Sequence, residues 1–290
     1  MISKRLFHVL SLLIVVSLVA SACGSDTTAD EDFQVGMILV GPQNDRGWSQ
    51  AHFEAGEYVM EQLELPATNL IVLDNMNTSA RPETTLESVV TDLIAQGADV
   101  IFATSDDMKD GIEAAAAEHP DVPMIWSSGD SAWEDGKAYR ADLENLGNVM
   151  GRMEYGKMIA GCAAALTTQV GKLAYLGPLI NDETRRLVNS AYLGANHCWK
   201  EVRGESSDIE FEVKWIGFWF NIPGFTLDPT QVTNEFFTSG ADVVISGIDT
   251  TEAIVRAGQL QASGEQAWAV PYDFEGACSE APDACLGVPY

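Results

Sequence analysis

The chain has 290 residues, 46% of them hydrophobic, and sets 16 Lys and Arg against 43 Asp and Glu for a formal net charge of −27. The hydrophobic share excludes a disordered acidic tail and leaves room for two domains of ordinary size. A field of that sign repels phosphate backbones and anionic lipids, so nucleic-acid binding is excluded; the charge reads as a solubility device suited to a salty habitat.

The chain opens with a signal peptide at residues 1–22. Lys4 and Arg5 give a positive start, residues 6–20 are an almost unbroken apolar run, and small residues lead to Cys23. The run is shorter than the roughly 20 residues of a membrane span and suits a signal h-region. Ala20-Ser21-Ala22-Cys23 looks like a bacterial lipobox, which makes Cys23 the expected lipidated N-terminus. Residues 23–32, small, polar and acidic, then read as a flexible tether from a lipid anchor.

Residues 33–40 form an apolar run ended by Gly41-Pro42, the pattern of a buried strand. The loop Gln43-Asn44-Asp45-Arg46-Gly47 leads into a helix over residues 48–63, with Ala51, Ala55, Tyr58, Val59 and Leu63 on one side. A strand at 69–73, a helix at 82–95, a strand at 100–103, a helix at 108–118 and a strand at 123–126 follow. They make a first lobe at residues 33–144. The order then restarts in a second lobe at 145–273: helix 150–166, strand 173–176 ended by Gly177-Pro178, helix 183–202, strand 211–216, helix 230–239 and strand 268–270. Such alternation predicts an α/β fold, with two Rossmann-like lobes built on parallel sheets. Residues 274–290 are expected to return to the first lobe. The chain stops at Gly287-Val288-Pro289-Tyr290 with neither a capped helix nor a polar tail, and reads as lacking a C-terminal portion.

An internal repeat supports two lobes. Gly97-Ala98-Asp99-Val100-Ile101-Phe102 comes back as Gly240-Ala241-Asp242-Val243-Val244-Ile245. Asp106 and Asp249 follow at the same spacing, as do Asp130 and Asp273. The period is far longer than that of a solenoid. Four cysteines follow the lipobox: Cys162, Cys198, Cys278 and Cys285. An even number in an exported chain suggests disulfides. Cys278 with Cys285 would close a short loop, and Cys162 with Cys198 would join neighbouring helices, although spacing alone leaves the pairing open.

In open α/β lobes, ligands bind beyond the carboxyl ends of the strands. Those ends carry Asp45 to Ser49, Thr104 to Asp107, Ser127 to Asp130 with Gly129 at the turn, residues 177–182, residues 217–225, residues 246–251, and Tyr272 with Asp273. Their Asp, Ser, Thr and aromatic content suits a ligand with hydroxyl groups and a flat ring. Asp45, Asp106 and Asp249 either face that ligand or cap the helices that follow. Trp48 either lines the cleft or packs on its own lobe. Phe218, Trp219 and Phe220 cannot all enter one core, so at least one faces the cleft or a partner.

Enzyme signatures are scarce. Gly151 to Lys157 has phosphate-loop spacing, but Met158 stands where Ser or Thr would bind magnesium, and the stretch lies in a helical pattern. No G-x-S-x-G occurs. His52, His119 and His197 lack metal-site spacing, and the cysteines lack a C-x-x-C pair. No cofactor and no metal is expected.

In their order, several segments resemble the basic membrane protein family, substrate-binding lipoproteins of ABC transporters that include purine nucleoside receptors. Asp45-Arg46-Gly47-Trp48-Ser49-Gln50 is similar to the family's Asp-Lys-Gly/Ser-Phe-Asn-Gln. Glu118-His119-Pro120-Asp121-Val122-Pro123 is similar to its Tyr-Pro-Asp before a strand. Tyr155-Gly156-Lys157-Met158-Ile159-Ala160-Gly161 resembles its helix ending in Ala-Gly, and the second Gly-Ala-Asp is similar to its second-lobe signature. The resemblance spans residues 33–273. It implies a type I periplasmic-binding architecture, a nucleoside held between the lobes, delivery to a membrane permease and no catalytic step. By position, Asp45 would contact base or ribose, Trp48 would stack, and Ser49, Ser105, Asp106 and Gly129 would face the ligand from the first lobe. Phe218 or Trp219 would stack from the second, Asp249 would line the cleft, and Asp273 would take ribose hydroxyls. Ser49 stands where the family has Asn, and residues 217–229 form a longer stretch, so nucleosides other than purine stay open. A monomer is expected. The alternatives are a ligand-sensing domain of the same fold, for another small polar ligand, and a nucleoside hydrolase using the carboxylate cluster.

Overall fold

The computed structural model describes residues 32–289. The signal peptide, Cys23 and nearly all of the tether lie outside the described residues. The first sheet has the order β2-β1-β3-β4-β5, with β1 Val35–Ile38, β2 Leu70–Leu73, β3 Val100–Ala103, β4 Met124–Ser127 and β5 Leu146–Val149, all parallel. The second has the order β7-β6-β8-β9, with β6 Lys172–Gly177, β7 Glu210–Trp215, β8 Val243–Ser246 and β9 Trp268–Val270, again all parallel. Central parallel strands covered on both faces must be apolar throughout; β1 and β8 are buried at every position.

Helices α1 Trp48–Gln62, α2 Leu86–Ala95 and α3 Lys109–Glu118 clothe the first sheet, and α4 Met153–Thr167, α5 Asp182–His197, α6 Pro229–Thr238 and α7 Glu252–Ala262 the second. Local chemistry sets their starts. Thr85 accepts a hydrogen bond from the Ser88 N–H at the head of α2, so that helix begins after, not at, Pro82. Asn181 and Thr184 form a reciprocal capping box on α5. Asp228 caps α6, with Pro229 in its first turn. Helices α4 and α5 lie unusually close, because a Cβ on Gly161 would fall 1.9 Å from the Ala191 carbonyl oxygen and one on Gly194 1.9 Å from that of Met158. A disulfide between Cys162 and Cys198 ties α4 to the turn that extends α5, and a second joins Cys278 and Cys285.

Three expectations are corrected. The first lobe does not end at residue 144, because Leu146–Val149 pairs along β4 as the fifth strand of the first sheet. Residues 274–289 do not return to the first lobe. Cys285 bridges Ala269 of β9 in parallel, Leu286 N–H donates to the Ala269 carbonyl, and Ala284 joins the second-lobe core. The segment thus occupies beside β9 the place that β5 holds beside β4. Finally, α1 is rotated from the face expected: Tyr58 is 61% and Val59 43% exposed, while Ser49, Gly56 and Met60 are buried. Gly56 sets this phase by letting the helix rest on Leu70 and Met37.

Candidate binding site between the lobes

The carboxyl ends of both sheets face each other across one cavity. Both sheets reverse their strand order between equivalent strands, β1/β3 and β6/β8, the point where ligands bind in such folds. The first lobe contributes Val40, Trp48, Ser105, Asp106 and Ser128 to the lining, and the second Glu183, Phe218, Trp219, Phe220, Asp249, Tyr272 and Asp273.

On the first-lobe side, Trp48 opens α1 and its indole N–H donates to the Thr104 carbonyl. Its ring packs on His52 with centroids 4.4 Å apart. Ser105 follows β3, and its carbonyl accepts the Trp126 indole N–H at 2.7 Å. Burial, then the nearby Asp130 charge, raise the Asp106 carboxyl above its ordinary range, while Lys109 and the Asn181 side chain oppose this. Ser128 has φ 67°, and its hydroxyl is buried without a hydrogen-bond partner.

The second-lobe side is more acidic and more deeply buried. Phe218 packs edge-on against Trp219 and Phe220, with centroids at 5.4 and 4.9 Å. Phe220 reaches across to pack on the first-lobe core. The Asp249 N–H donates to the Trp219 carbonyl at 2.8 Å, so the aromatic loop and the carboxylate loop are braced together. Asp249 and Asp273 are each only 5% exposed and both line the cavity. Burial pushes both carboxyls well above the usual range; Asp273 and Asp45 add to the rise at Asp249, whereas Lys157 opposes it at Asp273. Burial likewise lifts Glu183 to about 7, Asp106 adding and Arg186 and Lys157 opposing. Asp273 has φ 64°, and its Oδ2 is buried with no hydrogen-bond partner. The Tyr272 hydroxyl is equally unpartnered.

The lobes are closed on each other. A Cβ on Gly47 would lie 1.5 Å from the Asp249 carbonyl oxygen, so only glycine permits this approach. Arg46 pairs with Glu280, and Lys137 with Asp182 at 3.2 Å. The cavity left is about 30 Å³, room for a water or two and not for an aromatic ring. Admission of any larger guest requires the lobes to part.

Seven of the residues expected at the site line this cavity: Trp48, Ser105, Asp106, Phe218, Trp219, Asp249 and Asp273. Three do not. Asp45 spends its carboxylate on the N–H groups of Gly47, Ser49 and Gln50, which makes it the cap of α1. Ser49 is fully buried and its hydroxyl accepts the Gly41 N–H. Gly129 is turned against the Trp126 ring and Asn148, and its neighbour Ser128 lines the cavity instead. Val40, Ser128, Glu183, Phe220 and Tyr272 also line it; Ser128, Phe220 and Tyr272 fall in the segments named from sequence but were given no ligand contact there, and Val40 and Glu183 fall outside them. Tyr272 and Ser128 stood beside residues that were given one, and Glu183 lies in the first turn of the helix after β6 as Trp48 does in the one after β1.

Comparison with known proteins points the same way. Residues 33–287 match the family model described as ABC transporter substrate-binding protein PnrA-like. A putative ABC transporter glucose-binding protein of Haloferax volcanii is 27% identical over 231 residues, 80% of this chain and 52% of that protein. A purine-binding protein of Brucella abortus is 25% identical over 242 residues, 83% of this chain and 62% of that protein. The chain therefore spans half to three-fifths of the length of these curated relatives. Among solved structures, ABC transporter solute-binding proteins from Aeropyrum pernix K1 superpose with a TM-score of 0.66 at 14% identity, over 83% of this chain and 62% of theirs. That likeness is one of fold.

Proposed function

The chain belongs to the PnrA-like family of ABC transporter substrate-binding proteins, and from that premise we propose that it captures a nucleoside between its lobes and hands it to a membrane permease. The family is one of solute-binding proteins and not of enzymes, and its members work outside the cytoplasm. The carrying observation is the division of labour in the cavity: aromatic faces from both lobes meet a buried carboxylate pair with an open acceptor oxygen. Base stacking on such faces contributes about 1–3 kcal/mol per base, and carboxylates accept from vicinal hydroxyls. In this reading the open form admits the ligand, the base lies along Trp48 and the 218–219 rings, and the ribose hydroxyls turn to Asp249 and Asp273. Closure is favoured only by the extra affinity of the closed form for ligand. Lipidation at Cys23 would keep the protein beside its permease.

A hexose is the second reading, favoured by the acid pair, which suits any polyol, and by the glucose-binding name of the Haloferax relative. Isothermal titration with adenosine, guanosine, inosine, uridine and D-glucose separates them. The proposal expects at least one nucleoside to bind below about 10 μM, roughly −7 kcal/mol, with glucose at least a hundredfold weaker. Glucose binding tightly while every nucleoside gives no heat would replace the nucleoside by the sugar. Free base appearing during incubation would reveal a hydrolase.

A further inference from the structure

Helix α4 is apolar on both of its faces. Beyond Glu154 its single charged residue is Lys157, which is buried and donates to the Ser246 carbonyl. The inner face sets Ala160, Ala164 and Ala165 into the second-lobe core. The outer face carries Tyr155, Met158, Ile159 and Leu166, which the helical repeat places on one stripe. They are 54%, 41%, 70% and 45% exposed in that order. Cys162 and Ala163, both half-buried, fill the stripe between Ile159 and Leu166. Leu193, 57% exposed on α5, borders it, two turns past the Arg186 that pairs with Glu154 of α4 at 3.5 Å.

A helix without a polar face is one that a protein covers on every side. The five exposed side chains leave an apolar patch of about 500 Å², a size that marks an interaction surface. Charge indicates what covers it. The chain carries −27, and other helices turn acids outward, as at Asp92 on α2 and at Asp110 and Glu118 on α3. A basic partner would gain most by docking on those acidic faces. A face free of charge suits a neighbour of the same sign, because like charges opposed across a contact are strongly unfavourable. A second copy of the chain is such a neighbour. Two stripes meeting across a twofold axis are self-complementary, and together they bury about 1,000 Å², the threshold of a specific interface.

We propose that the outer stripe of α4 is the contact face of a weak, reversible homodimer, in place of the monomer expected from sequence. The stripe belongs to the second lobe alone, so a dimer built on it leaves both first lobes free to close over ligand. The proposal is independent of which ligand the cleft takes. It also carries a signature in salt. Two acidic bodies repel at long range, whereas the contact itself is apolar, so salt that screens the repulsion strengthens the pair. An interface held by ion pairs would weaken instead.

The test is sedimentation equilibrium of the wild-type protein at about 5–200 μM, in about 0.1 M and about 1 M KCl, which shortens the screening length from about 10 Å to about 3 Å. A monomer–dimer equilibrium is expected, at least about fivefold tighter in the higher salt. Ile159→Glu sets two like charges into the contact and should weaken the dimer at least about tenfold, and Leu166→Lys should do the same. Both sites are exposed, so both variants should melt as wild type does. Tyr58→Glu makes the same charge change as Ile159→Glu on an exposed site of α1 in the first lobe, and should leave the dimer intact. A monomer at every concentration and salt overturns the proposal. So does a dimer that survives both stripe variants, or one that Tyr58→Glu weakens as much as Ile159→Glu. Capture of the monomer by neutral phosphatidylcholine vesicles, lost in Ile159→Glu, would give the face to a membrane and overturn it too.

Discussion

The two lobes share a strand order and a spacing of aspartates, yet their rims have become different surfaces. Asp130 and Asp273 are counterparts in the repeat. Asp130 is exposed and pairs with Lys109 at 3.8 Å, whereas Asp273 is 5% exposed and faces the cavity. Asp106 is half-buried where Asp249 is buried. The first rim thus offers an indole, two serines and a partly solvated acid; the second offers a desolvated acid pair beside three aromatic rings. The repeat places an acid at the end of a strand, and its neighbours decide whether that acid holds a ligand. Only Asp99 and Asp242 keep one job in both halves, tying down the chain where their strands begin: Asp99 accepts the Gln34 N–H and Asp242 that of Gln169.

That asymmetry can be broken at the point where the rims meet. Gly47→Val places a side chain against the Asp249 carbonyl and blocks closure; nucleoside affinity should fall more than about a hundredfold, and small-angle scattering should show no contraction on adding ligand. A matched pair of variants comes next. Asp273→Asn should weaken guanosine about fiftyfold, because it removes the open acceptor and halves the acid pair, worth about 2–3 kcal/mol for a charged hydrogen bond. Asp130→Asn should change it less than about twofold, since an exposed ion pair contributes under about 1 kcal/mol; equal losses from the two would erase the distinction between the rims. Trp48→Ala should cost about 1–3 kcal/mol of stacking, read as an affinity weaker by about 5-fold to about 150-fold, and unchanged affinity would remove Trp48 from the site. The smallest effect concerns the empty protein. Glu183, Asp249 and Asp273 bind protons more tightly folded than unfolded. Their contribution is therefore fully present below their unfolded values, near pH 4, and is lost as pH rises through the folded ones. The melting temperature should fall by a few degrees between pH 5 and 7, and Glu183→Gln should flatten that slope.

Much of the fold is legible in the sequence because buried parallel strands are apolar runs bounded by Gly and Pro, as at Gly41-Pro42 and Gly177-Pro178. Strand β5 is not legible: Leu146-Gly147-Asn148-Val149 lies at a sheet edge and carries no apolar run. The face of α1 is hidden for a related reason, since small residues at Ser49 and Gly56 share the buried face with Met60 while Tyr58 and Val59 stay outside. At the site, the strand-end rule finds the right loops but not the side chains that turn inward. Left-handed backbone at Ser128 and Asp273 decides that, and nothing in Ser127-Ser128-Gly129 announces which residue adopts it. Asp45 looks like a ligand contact and is a cap, because both roles call for an acid just before a helix. Lys157 shows itself in sequence only as an imperfect phosphate loop; folding buries it in a helix, against the Ser246 carbonyl and the Tyr272 ring.

A crystal structure of the guanosine complex tests the clamp most directly. The account predicts the purine ring between Trp48 and the 218–219 rings, with the ribose hydroxyls within 3.2 Å of Asp249 and Asp273. A nucleoside bound outside the interlobe cavity, or one seated there with its ribose toward Ser105 and Ser128 and no contact to the acid pair, would contradict it.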